Sequence, residues 1–345
     1  MAGLAQLRIS MTIAILLVSV VFSFFLFVIM YLFNLPLVFA LVGTILFILI
    51  QYVIGPATVR WSTRLRYLQQ GENPWLESTV TDLSQKSQIP PPRLAMVPDP
   101  TPNAFVFGTT TRGATLAVHE GLLKQLNEGE VRGVIAHELG HIKHKDFVVM
   151  TVLSALPLIA YMIARLSFQA TWFAGGGRQK DKGAGLRAAL LAPGVISFIV
   201  YVVTLLCVLM LSRLREHYAD SYSAYVTGQP RQLESALTKI TYGLSLSPMP
   251  PHGARTLYIG DPALAKLEFQ GIIDRKQEYD LDKDGVLDEK ELELAMEKEA
   301  KSSWAALNRL FATHPPTYRR VLLLREIENE MESGRYTSQR MYAHI

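Results

Sequence analysis

The 345-residue chain has a single cysteine, Cys207. One thiol cannot build a disulfide framework, and zinc sites made of several cysteines are excluded with it. Charge is absent from the whole stretch between Arg8 and Arg60. A water-soluble domain could hardly bury an uncharged, apolar stretch of that length, so the chain belongs in a bilayer. Basic–aromatic interleaving and nucleic-acid motifs are also missing. The formal net charge of +4 is therefore read as Lys and Arg flanking membrane spans, with no nucleic-acid partner. There is no internal repeat and no long low-complexity tract. A cleavable leader is not expected: the first apolar run is too long for a signal sequence and lacks a convincing cleavage site, so it reads as a retained anchor.

The apolar residues gather into four runs: 9–33, 37–59, 147–164 and 188–212. The first two are separated only by Asn34-Leu35-Pro36, and each has the roughly 20 residues a bilayer requires. The third is short for a span and contains Pro157, which membrane helices tolerate. The expected plan is a membrane hairpin over 1–60, a first soluble part over 61–146, a second hairpin over 147–213 and a second soluble part over 214–345. The expected fold class is a mostly α, multi-pass membrane protein with four transmembrane helices and an α+β domain carrying a small sheet. Arg60, Arg64 and Arg66 follow the second run, which puts the soluble parts on the cytoplasmic side. Arg178, Lys180 and Lys182 then fall on the opposite side, against the same rule.

Within 61–146, Asn73-Pro74 has the form of a helix cap followed by proline at the first helical position. Leu76, Val80 and Leu83 continue a helical stripe, and Pro90-Pro91-Pro92 ends the pattern. Short strands are expected at 94–97, 104–107 and 114–118, with a turn over 108–113. Then comes EVRGVIAHELGHIKHKD, residues 130–146. Val131, Val134 and Ile135 mark a helix. His137 and His141 stand one turn apart on it and share a face, as two ligands of one tetrahedral Zn2+ ion require. Glu138 projects beside them, where a carboxylate can serve as general base to a metal-bound water.

A catalytic zinc site needs a third protein ligand. Glu216 lies just after the fourth run, as His141 lies just before the third. A hairpin of those two runs returns both residues to one membrane surface. Asp220 is one turn beyond Glu216 and suits a hydrogen bond to a ligand histidine. His217 and His144 are rivals. His217 points away from the face shared by Glu216 and Asp220, and His144 suits a solvated or headgroup-facing position. Glu216 is favoured over both.

HELGHIKHKD, SRLREHYAD and THPPTYRR, in this order and with apolar runs between them, resemble the HtpX-type membrane zinc metalloproteases. That group is related to the CAAX prenyl endopeptidases, which have more spans than the four counted here. NAFVFG, residues 103–108, is similar to the family's edge strand. The resemblance implies a zincin-like (gluzincin) domain with His137, His141 and Glu216 on zinc, Glu138 as base and Asp220 in support. It also implies a cytoplasmic active site and membrane or misfolded protein substrates. Asn103, Ala104 and Phe105 would engage the peptide as an added strand. The family's HPP motif maps onto His314, Pro315 and Pro316, and the arginine after it onto Arg320, expected either to brace the site or to be an ordinary surface arginine.

Residues 280–291, DLDKDGVLDEKE, fit an EF-hand loop position by position. Asp280, Asp282, Asp284 and Asp288 would supply side-chain oxygens to Ca2+, Val286 its carbonyl and Glu291 a bidentate carboxylate. The HtpX resemblance does not supply this loop, which reads as an insertion over about 262–301. On its entering side Arg275, Lys276 and Gln277 are too polar for the usual helix, and no second loop pairs with it. The plainer reading is an acidic turn between two charged helices. The competing function is a calcium-responsive membrane scaffold whose HELGH binds structural zinc or nothing.

Overall fold

The structure, a computed structural model, describes residues 36–173, 180–248, 257–283, 311–338 and 340–345, with single positions among 9–30 and 291–298. Three helices among the described residues are long and apolar enough to cross a membrane. They are α1 (Leu37–Thr63), α5 (Asp146–Phe173) and α6 (Lys180–Thr227), numbered in chain order with the helices introduced below. The expected span over 9–33 lies for the most part outside the described residues.

The third expected run proves longer than its uncharged stretch. Its apolar segment extends from Val149 to Trp172, past Arg165. Arg165 is about 28 Å along the helix from Asp146, near the far side of a bilayer, where a long side chain can carry its charge out to the headgroups. Helix α6 is 48 residues long and does not stop where its charge-free run ends at Ser212. A bilayer needs only about 20 residues, fewer than this helix has, and its charged turns with Arg213, Arg215, Glu216 and Asp220 follow the charge-free run.

Contacts divide the chain into two units, one containing Pro56–Phe147 and Ser212–Ile345, the other Leu7–Gly55 and Val148–Leu211. In the second unit, Tyr161 of α5 packs against Tyr201 of α6, and Gly194 lies against Phe168.

The first unit holds a four-stranded mixed sheet in the order β1-β2-β4-β3. Its strands are β1 (Arg66–Tyr67), β2 (Arg93–Val97), β3 (Ala104–Phe107) and β4 (Thr115–His119). β2 and β4 are parallel; β1 and β3 are antiparallel to their neighbours. β1 was not expected, being two residues long and so without a readable alternation. Alternation elsewhere sorts the two faces. Leu116 and Val118 join the main core with Val134, Ile135 and Leu139, whereas Ala117 faces Ala95, Val97, Phe105 and Phe107.

β3 is the last strand in the order. His119 N–H donates to Asn103 O, so Asn103, Phe105 and Phe107 occupy the hydrogen-bonded pairs of the ladder with β4. The N–H and C=O of Ala104 and Val106 therefore point to the opposite edge, which no other strand among the described residues covers.

Helix α2 (Pro74–Ser87) starts as its sequence predicts, with the Asn73 side chain accepting from Leu76 N–H. The short α3 (Glu120–Gln125) leads into α4 (Glu128–His144), the helix of HELGH. Helices α7 (Pro230–Leu246) and α10 (Thr317–Glu332) pack together, and α7 also packs on α4.

The charged helix expected before the acidic loop is instead two elements. Helix α8 (Pro262–Asp274) buries Leu264, Ala265, Phe269 and Ile272, and the one-turn α9 (Lys276–Tyr279) follows a break at Arg275. Arg275, Lys276 and Gln277 are exposed, while Tyr279 turns inward onto Ile272 and Ala295. The entering side is thus apolar; its polar residues belong to the separate turn.

Candidate metal centre

Helix α4 is fixed at its start by a reciprocal cap. Asn127 accepts from Glu130 N–H at 2.9 Å, and Asn127 N–H donates to the Glu130 carboxylate at 2.9 Å. Glu130 also takes hydrogen bonds from Ser235 and Lys239 on α7. At the other end α4 crosses α6 very closely. A Cβ on Gly140, the glycine of HELGH, would meet Tyr222 at 3.1 Å and the Ala219 backbone at 3.3 Å. The missing side chain is what lets the turn carrying His137 and His141 approach the turn carrying Glu216 and Asp220.

The approach assembles two imidazole nitrogens and one carboxylate. His137 Nε2 and His141 Nε2 are 3.2 Å apart. Glu216 Oε2 lies 3.4 Å from His137 Nε2, and Glu216 Oε1 lies 3.5 Å from His141 Nε2. Bonds of about 2.0–2.1 Å at tetrahedral angles would separate two ligand atoms on zinc by about 3.3–3.4 Å. The triangle therefore fits that ion.

The opposite ring nitrogens explain why a cation is wanted. His137 Nδ1 lies 2.9 Å from Asp220 Oδ1, and His141 Nδ1 lies 2.6 Å from Asp146 Oδ2. Each carboxylate accepts an Nδ1–H, so in the neutral rings both Nε2 lone pairs face each other and Glu216. Glu216 Oε2 is buried without a hydrogen-bond partner, and the guanidinium near it, Arg320 Nη1, stands 3.5 Å away. Three acceptors converging in a buried place are stable only around a positive charge. In the metal-free state a proton supplies it: burial opposes charge on His137, yet the Asp220 and Glu216 carboxylates beside its two nitrogens outweigh burial and raise its pKa to about 9. Metal uptake at such a site is accompanied by proton release.

Asp220 is held in turn by Arg320, through Nε at 2.8 Å and Nη2 at 2.7 Å. Arg320 is 1% exposed and also donates to Ile259 O. The reading of Arg320 as a surface arginine is therefore set aside: it is a buried fork on the carboxylate that orients His137. Glu138 is 3% exposed, and burial raises its proton affinity despite the nearby histidines. His314 lies beside this group, its Nε2 3.8 Å from Glu216 Oε1 and its Nδ1 2.9 Å from Thr313 Oγ1.

The rivals are elsewhere. His144 does not face solvent or headgroups; it packs among Tyr218, Tyr222 and Tyr342, with Tyr342 Oη 2.9 Å from its Nε2. His217 lies outside the group of converging donors. Asn103 is fully buried and its side chain is already engaged: Nδ2 donates to Leu257 O and Oδ1 accepts from Ile259 N–H. It clamps the segment 257–259 to the start of β3. The side chains of Ala104 and Phe105 are buried as well, which leaves the backbone edge as the surface that β3 can offer.

Asp146 and Arg215 escaped the sequence reading. Lys145 adopts a left-handed conformation, φ 58°, which turns the chain so that Asp146 reaches back to His141. Arg215 pairs with Asp146 from α6. The available signal was an acidic residue directly after the helix that carries the histidines.

Of the acidic loop, Asp280, Asp282 and Glu291 each offer an oxygen, all within 4.8 Å of one another. Glu291 Oε1 accepts from Leu281 N–H at 2.6 Å. Asp284, Val286 and Asp288 lie outside the described residues.

Comparison with known proteins agrees with the motifs. The sequence profile of peptidase family M48 matches residues 70–328. A protease HtpX homolog of Methanothermobacter thermautotrophicus is 39% identical over 210 residues, which cover 61% of this chain and 75% of that protein. A protease HtpX homolog of Aeropyrum pernix is 33% identical over 283 residues, covering 80% and 82%. Among solved structures, that of S. mikatae Ste24p aligns with 93% of this chain and 67% of its own at 17% identity and a TM-score of 0.47.

Proposed function

Since this chain belongs to peptidase family M48 and is a membrane metalloprotease of the HtpX type, we propose that it hydrolyses membrane or misfolded proteins at a zinc centre held by His137, His141 and Glu216. The observation that carries this reading is the triangle of donor atoms with both Nδ1 positions already tied to carboxylates. Zinc bound there would polarise the scissile carbonyl and acidify a water. Glu138 accepts a proton from the attacking water and returns it to the leaving nitrogen; burial gives its carboxylate the raised proton affinity that such a base needs. Asp220, gripped by Arg320, and Asp146, gripped by Arg215, hold the two imidazoles in the tautomer that presents Nε2. The arginines after the second apolar run support a cytoplasmic active site. A scaffold with a vestigial site is not favoured, since family membership makes the chain a protease. Purified protein should contain one zinc per chain and cleave casein. Removal of the metal by a chelator should stop cleavage, and added zinc should restore it. Cleavage that persists without metal sinks the reading.

The substrate is proposed to add to the edge of β3. The outward N–H of Val106 supports this, being one of the backbone groups on the open side of the ladder. Val106→Pro should raise KM with zinc content unchanged, because it deletes one donor of that edge. A thermal melt on the same sample separates this outcome from unfolding. Unchanged KM in a folded variant counts against the edge.

Calcium modulation is proposed for the loop over 280–291. The sequence spacing and the converging oxygens of Asp280, Asp282 and Glu291 support it. A loop with no second EF-hand in the sequence to pair with should bind weakly, on the order of 10⁻⁵–10⁻³ M. Calorimetry on wild type and Glu291→Gln tests the site, and equal heats remove it. Cleavage at fixed zinc should change when calcium is added; binding without that change reduces the loop to a brace.

A further inference from the structure

The segment after α10 is fastened at two ends. Arg340 pairs with Glu330 at 2.6 Å, and His344 sits between Glu326 and Glu330 at 3.0 and 3.1 Å, all on α10. Between these, Met341 and Tyr342 turn inward and are buried. The Tyr342 ring lies 4.9 Å from that of Tyr218, centre to centre, and its hydroxyl is 2.9 Å from His144 Nε2. Burial keeps the phenol protonated and holds His144 neutral, its pKa pushed down to about 4, so the hydrogen bond joins two neutral groups.

From His144 the contacts lead to the metal centre. The His144 carbonyl oxygen accepts from Arg215 Nη2 at 3.3 Å. The same nitrogen pairs with Asp146, whose other oxygen takes the Nδ1–H of His141 at 2.6 Å. His144, Lys145 and Asp146 form the one bend between a ligand and the carboxylate that orients it, and Lys145 holds that bend in a left-handed conformation. We propose that Tyr342 is a positioning residue for the zinc centre: by fixing His144 it fixes this bend, and with it the Asp146 carboxylate that orients His141. The proposal rests on the reading of His141 as a ligand.

The test uses Tyr342→Phe, which keeps the ring and removes the hydroxyl, in the wild-type and Asp146→Asn backgrounds of the full chain. Zinc dissociation constants are measured by chelator competition, and melting of the metal-free protein is measured alongside. Tyr342→Phe should weaken zinc binding about 3–10-fold, the worth of one hydrogen bond, while the metal-free protein stays folded. Asp146→Asn should weaken it about 10–100-fold. In that background Tyr342→Phe should add nothing, because the group it acts through is already lost. An unchanged zinc constant for Tyr342→Phe overturns the proposal, and so does a full additive loss on top of Asp146→Asn. His141→Ala is the control on the underlying reading: if zinc affinity survives it, the ligand assignment fails and the proposal falls with it. If only the Tyr342 arms fail, the ligand assignment stands.

Discussion

Glu138→Gln should leave zinc bound and lower the rate of peptide hydrolysis by ~10²–10⁴-fold, the usual cost of losing a general base. The amide has nearly the shape of the carboxylate but cannot take a proton from water. Glu138 is not one of the three converging donors, so metal content should stay at the wild-type level. Burial already penalises the charge on Glu138, hence the neutral side chain should not destabilise the fold. Casein cleavage and metal analysis on one preparation decide the matter. Wild-type cleavage by this variant would remove Glu138 from the chemistry, and loss of zinc would show that it had been holding the metal.

Glu216→Ala is expected to have the larger effect on the metal itself. It deletes one of the three proposed ligands, so zinc affinity should fall by more than the roughly 10–100-fold that loss of an outer partner costs. It also leaves two imidazoles whose Nε2 atoms, 3.2 Å apart, have no anion facing them. Activity should vanish with the metal. His217→Ala, one residue further along the same helix, is the matched comparison and should retain zinc. His217 lies outside the converging group and carries a buried Nδ1 without a hydrogen-bond partner. If the His217 variant lost metal and the Glu216 variant kept it, the third ligand would have been misassigned.

What the sequence determined by itself was local. The four-residue spacing of His137 and His141 on a helix fixes a shared face, whatever the rest of the chain does, because helical geometry is set within one turn. The charge-free stretches committed the chain to a bilayer on composition alone. The Asn73-Pro74 cap and the strands over 93–97 and 104–107 were legible for the same reason: caps and alternation are written in neighbouring residues. Glu216 could be inferred, but only by reasoning that two spans return the chain to one surface.

Tertiary structure decided what joins distant segments. Arg320 and Asp220 are 100 positions apart, and their pairing has no local signature. A single arginine after HPP reads equally as surface or brace until packing removes it from water. His144 illustrates the opposite error. Its place at the polar end of a helix suggested solvent, but Tyr342, 198 positions later, covers it. Asn103 was expected to belong to the strand that engages the peptide; its side chain clamps the segment 257–259, because a buried amide is stable only when its donor and acceptor are both satisfied. That β3 ends the sheet followed from strand order, which depends on how β2 and β4 pair in parallel and not on the sequence of β3. Periodicity tells a segment which face to bury; only the packed fold determines which partner it is buried against.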